Sequence, residues 1–140
     1  MNKKLMAIEE IANKYGESVL NKTSEVDINE FTKWLDGRIN HQVLDAYISF
    51  FKETNGFEFN GMIVYSIKNK TDNNIYDANE EWKNEGSFDK FILFADNDIT
   101  WYCYDLDTKK FCELDKPSGE IMNSYNSFSE MLDSLLDLVL

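Results

Sequence analysis

Apolar residues recur along the first third of the chain at the three- and four-residue spacing that lays one stripe down a helix. Leu5, Ile8, Ile11, Ala12 and Tyr15 predict a first helix over about residues 3–15, stopped at Gly16. Ile28, Phe31, Trp34 and Leu35 predict a second, capped by Ser24 or Asp27 and ending near Gly37. Asn40 caps a third, whose stripe is Val43, Leu44, Tyr47, Ile48 and Phe51. That helix runs into a segment with two Asn-Gly pairs. Gly56, after Asn55, reads as a left-handed helix stop, and Asn60-Gly61 reads as the turn into the first strand.

Past Gly61 the pattern shortens to strands, beginning with Gly61 to Ile67. A polar loop follows, and residues 77–86 read as a short helix or an irregular excursion anchored by Trp82. Residues 88–95, 99–106 and 109–115 are then three strands joined by short polar turns, an antiparallel meander, with a last strand or turn over 119–125. Ser127 and Glu130 form a capping box for a final helix carrying Met131, Leu132, Leu135, Leu136 and Val139. Helices, then strands, then a helix predict one α+β domain over residues 1–140, its antiparallel or mixed sheet backed by the terminal helices.

The meander allows a register to be assigned. A two-residue loop at Asp107-Thr108 sets Cys103 directly opposite Cys112. Trp101, Cys103, Cys112 and Leu114 then share one face, expected to lie under the helices. Tyr102, Tyr104, Phe111 and Glu113 share the other, expected to be less covered and open to recognition. The two cysteines read as packed thiols rather than a disulfide, since free cysteine behaves as a small buried hydrophobe.

A chain of 140 residues is long enough to bury a core without a disulfide or metal, and its 43% hydrophobic content is too high for a disordered chain. No apolar run reaches the roughly 20 residues a membrane-spanning helix needs. Glu9 and Glu10 interrupt the apolar stretch at the start, so no secretion signal is read there, and a cytoplasmic location is expected. Charge is unevenly spread. Of the net -12, residues 1–76 carry 11 acids against 9 bases, while residues 77–140 carry 15 against 5. With Arg38 as the one arginine, direct binding to nucleic-acid phosphates is not expected; a basic protein partner is.

Catalytic and metal chemistry find no footing. His41, the one histidine, sits at a helix start with no sequence partner, and a mid-strand Cys103 lacks the electropositive setting that activates a thiol. The acids from Asp96 onward fail as a calcium loop, because Trp101 and Asp107 stand where a glycine and a glutamate belong. Two cysteines and one histidine make no zinc spacing. No catalytic residue, metal or cofactor is expected.

The series Val43, Leu44, Tyr47, Phe50, Phe51, Asn55 and Gly56 resembles the signature of the SUKH superfamily of Smi/Knr-like domains. Phe57, Phe59, Asn60, Gly61 and the strand after them are similar to its YrhA-type members. The resemblance covers residue 28 to the end. Leu44 stands where relatives carry proline, which lets Asn40 start the helix a turn earlier. The resemblance implies a non-catalytic α+β domain in which Tyr47, Phe51, Asn55, Gly56, Asn60 and Gly61 are structural. It also implies an immunity role: binding and neutralising a cognate polymorphic toxin, such as a nuclease. The toxin surface is expected to be basic, and the domain to be a monomer or weak homodimer. The residues expected to meet the partner are Glu80, Glu81, Asp96, Asp98, Tyr102, Tyr104, Asp105, Asp107 and Glu113. The alternative is a regulatory or scaffold module binding a host protein.

Overall fold

A computed structural model describes residues 2–84 and 90–140. Three helices come first: α1 (Lys3–Asn13), α2 (Glu25–Leu35) and α3 (His41–Glu53). Strands β1 (Phe57–Phe59) and β2 (Met62–Val64) precede α4 (Ile75–Asn84). Strands β3 (Phe91–Asp96), β4 (Thr100–Asp105), β5 (Lys110–Asp115) and β6 (Ile121–Tyr125) lead to α5 (Phe128–Val139). The six strands form one antiparallel sheet in sequence order, so the α+β expectation holds. No described helix is long and apolar enough to cross a membrane.

Side-chain caps set the helix starts. The carboxamide of Asn2 accepts from the Lys4 and Leu5 amides, Ser24 Oγ from Asp27 N, and Asn40 Oδ1 from Val43 N. Asn40 therefore starts α3 ahead of Leu44. Ser127 Oγ accepts from Glu130 N, while the Glu130 carboxylate accepts from Asn126 N, one residue before the expected reciprocal bond. The first helix ends at Asn13, earlier than its apolar stripe suggests, and leaves Tyr15 79% exposed.

Both Asn-Gly pairs turn the chain, with roles that differ from expectation. α3 ends at Glu53 and Thr54 is extended, so Gly56, at φ +92, is not the stop of the helix. Its backbone instead lies against the chain leaving β2: a Cβ there would stand 2.7 Å from the carbonyl oxygens of Val64 and Tyr65 and 2.8 Å from Ser66 N. Asn55 fastens the same junction, its Oδ1 accepting from Ser66 Oγ and Ile67 N, both at 3.2 Å. Asn60 and Gly61, at φ +47 and +81, make the two-residue turn between β1 and β2. This turn leads into the second strand, because the Phe57–Phe59 segment is itself a strand.

The core is aromatic. Tyr47, Phe50 and Phe51 of α3 pack with Phe31 of α2, Phe94 of β3 and Phe128 of α5 in edge and tilted contacts 4.9–6.0 Å between ring centroids. Phe50 lies off the predicted stripe yet is buried in this cluster. Phe111 of β5 packs on Tyr47 and Phe128. The face carrying Phe111 is thus the helix-covered one, which reverses the expected assignment. Tyr102, Tyr104 and Phe111 are 1%, 2% and 3% exposed. Burying both faces of this hairpin favours aromatics on either side, so composition could not say which face the helices take. The register itself is as expected, with Cys103 opposite Cys112 and both thiols free and buried, although the connection is a four-residue turn over residues 106–109.

Helix α4 replaces a strand. β2 reaches only Ala95 and Asp96 of β3, leaving the backbone nearer Phe91 without a strand partner on that side among the described residues. The buried Asn79 of α4 takes its place: its Nδ2 donates to Leu93 O at 3.1 Å and its Oδ1 accepts from Leu93 N at 2.8 Å. Helix cover of this kind keeps an open sheet edge from pairing elsewhere.

Candidate functional site

Between α4 and the sheet lies a hollow of about 360 Å³. Asn74 builds its helical wall, capping α4 through Asp77 N and donating to Asp77 Oδ2, each at 2.9 Å. Asp77 and Glu81 follow one helical turn apart and so face the same way, with Trp82 beside them and Asp72 contributed by the preceding loop. The sheet supplies Asp96, at the end of β3, and Trp101, its partner across β4. The indoles of Trp82 and Trp101 meet edge to face, 4.4 Å between centroids at 72°. Four carboxylate side chains and two indoles therefore line one concavity.

Asp96 is oriented by two neighbours. Tyr65 Oη donates to its Oδ2 at 2.5 Å, and Lys116 Nζ stands 3.6 Å from the same oxygen. Burial, and then the charge of Asp96, hold the Tyr65 phenol well above its ordinary range, so it stays a proton donor to the carboxylate. Lys116 Nζ also lies 5.2 Å from the centre of the Trp101 ring, a cation–π contact within the protein. Among the described residues no group of three or more His, Cys, Asp or Glu is arranged to hold a metal ion. The arrangement suits attraction of a cationic group. The Cys103 thiol is pushed well up by burial, then by its contact with Cys112, and His41 is exposed.

Of the residues expected to meet a partner, only Glu81 and Asp96 come together here. Glu80 lies along α4 in a separate recess with Trp34, Arg38 and Tyr76. Asp98 and Asp107 are exposed in the turns after β3 and β4. Glu113 Oε1 accepts from Tyr125 Oη at 2.6 Å on the sheet. Asp105 is 1% exposed, its Oδ1 accepting from Asp107 N and Thr108 N to shape the turn. Tyr102 and Tyr104, buried on the helix side, present no aromatic surface, and with Asp105 they are corrected from contact residues to core. Sequence reasoning missed Asp72, Asp77 and the pairing of Trp82 with Trp101. The four-residue spacing of Asp77 to Glu81, and of Ala78 to Trp82, carries part of that signal once α4 is read as a helix.

A protein-family model described as "SUKH_6: SMI1-KNR4 cell-wall" matches residues 20–132. No curated protein matches the chain.

Proposed function

The chain belongs to the SMI1-KNR4 family of the SUKH superfamily, and from that premise we propose that it is a non-catalytic binding domain that neutralises a cognate toxin. The observation that carries this reading is the acidic, indole-lined hollow beside α4, on the half of the chain that holds most of the negative charge. A concavity lined by one sign of charge focuses its field and steers an oppositely charged surface toward it. A basic toxin domain, such as one built to hold nucleic acid, meets that requirement and would be blocked by a domain seated over its cationic cleft. The buried thiols and the exposed lone histidine support a binding role over a chemical one.

Co-expression with the toxin domain of a secreted protein encoded beside it tests the proposal: the domain restores growth and co-purifies with the toxin. The association rate falls steeply as salt rises through the range where the Debye length drops below about 10 Å. Unprotected cells and no complex would overturn it. A second reading is a regulatory or scaffold domain that holds a host protein by the same surface. That reading predicts no protection and a complex with the host protein instead.

A further inference from the structure

We infer that the hollow beside α4 is a receptor for one basic side chain, an arginine or lysine presented by the partner; this rests on the binding role proposed above and names what the site takes. Two observations point to a cation. The first is the cavity, whose walls bring Asp72, Asp77, Glu81 and Asp96 around Trp82 and Trp101. Carboxylates bind the charged head of such a side chain, and the partly exposed Trp101 ring takes its apolar stem and charge, while Trp82, 6% exposed, packs against that ring. The second is that the protein already seats an ammonium group against two of the residues that line the hollow. Lys116 Nζ lies over the Trp101 ring at 5.2 Å and beside Asp96 Oδ2 at 3.6 Å. The chain's own lysine thus stands in for the ligand's chemistry and shows which groups attract it.

Lys116 leaves much of the site's negative charge unanswered, because it pairs with Asp96 alone among the four carboxylates. Its side chain is a quarter exposed, and it touches the hollow only through Asp96 and Trp101. An incoming cation would share Trp101 and Asp96 with it and meet its repulsion. Lys116 is therefore a tethered competitor: removing it strengthens binding of an external cation, whereas removing the carboxylates weakens it. A purely structural role for Lys116 predicts no such gain.

The test is a titration of the full chain with the blocked tripeptides acetyl-Gly-Arg-Gly-amide, acetyl-Gly-Lys-Gly-amide and acetyl-Gly-Glu-Gly-amide, at constant ionic strength, read by NMR at the indole N–H groups. There are three tryptophans, and Trp34 packs against Arg38 and Tyr76 outside the hollow, so it serves as the internal reference. The arginine and lysine peptides are expected to shift the Trp82 and Trp101 signals saturably in the millimolar range while Trp34 stays still, and the glutamate peptide to shift none. Lys116→Met should tighten binding about fivefold, the size of one cation–π contact. Glu81→Gln, an exposed helix position that leaves the fold intact, should weaken it severalfold. Equal shifts at all three indoles, no saturation with either basic peptide, or unchanged affinity in Lys116→Met would overturn the inference. Protection against a toxin together with no peptide binding would discard the receptor while leaving the neutralising role; peptide binding without protection would do the reverse.

Discussion

Replacing Gly56 with alanine adds one methyl group where backbone already stands. At φ +92 an L-residue carries strain of about 1–2 kcal/mol. The added Cβ would also sit 2.7 Å from two carbonyl oxygens of the chain leaving β2, and neither can rotate away as a side chain would. Relieving that contact means moving the Asn55 to Ser66 junction, an overpacking cost of about 1–3 kcal/mol. Gly61 supplies the control. It has a similar φ, +81, but nothing lies within 4 Å of where its Cβ would stand, so Gly61→Ala carries the strain alone. Both changes reduce the freedom of the unfolded chain equally, so that effect cancels in the comparison. Gly56→Ala should therefore lower stability by about 1–3 kcal/mol more than Gly61→Ala. In urea, with a slope of about 2 kcal/mol per molar, the midpoints separate by about 0.5–1.5 M. Equal midpoints for the two variants would refute the close-approach reasoning and reduce Gly56 to a turn residue.

Asn79→Ala strips both hydrogen bonds from Leu93 N and O, which are buried, and should destabilise the fold by about 2–4 kcal/mol in the same urea assay. For Glu9, burial favours the neutral form, but bonds from Ser18 Oγ, Val19 N and Leu20 N outweigh it and hold the carboxyl below its ordinary range. A lowered folded-state value stabilises above the ordinary carboxyl range and fades as pH falls through it, so wild type should lose its advantage over Glu9→Gln on acidification, followed by thermal melts. Cys103 and Cys112 should not react with a thiol reagent in the native protein and should both react in denaturant, because burial keeps them from solvent and holds the Cys103 thiol protonated. His41→Ala should leave partner binding unchanged in calorimetry, as expected of an exposed first-turn residue.

Periodicity and caps were sufficient to read α1, α2, α3 and α5, because each buries one stripe and starts at a side chain that can accept a backbone N–H. The β4 to β5 register was legible because a two-residue loop and a four-residue turn centred on the same Asp107-Thr108 step set the same residues opposite each other. Which face met the helices was not, since Tyr102, Tyr104 and Phe111 on one side and Cys103, Cys112 and Leu114 on the other are all buried. The hollow was half legible. Glu81 and Asp96 stood out as acids, but 15 positions separate them, and only α4 lying along β3 closes that distance. Asp105 looked like its acidic neighbours, yet it shapes a turn from inside the protein.

The carboxamide of Asn79 makes Leu93 a sensor. An amide hydrogen in mid-sheet is ordinarily shielded by the next strand and exchanges with solvent deuterium when the sheet itself opens. The Leu93 N–H is shielded by a helix side chain instead, so it exchanges whenever α4 lifts, even with the sheet intact. Its exchange rate reports the free energy of undocking the wall that carries Asp77 and Glu81. A bound partner that grips this wall would slow exchange at Leu93 before it slowed exchange elsewhere in the sheet.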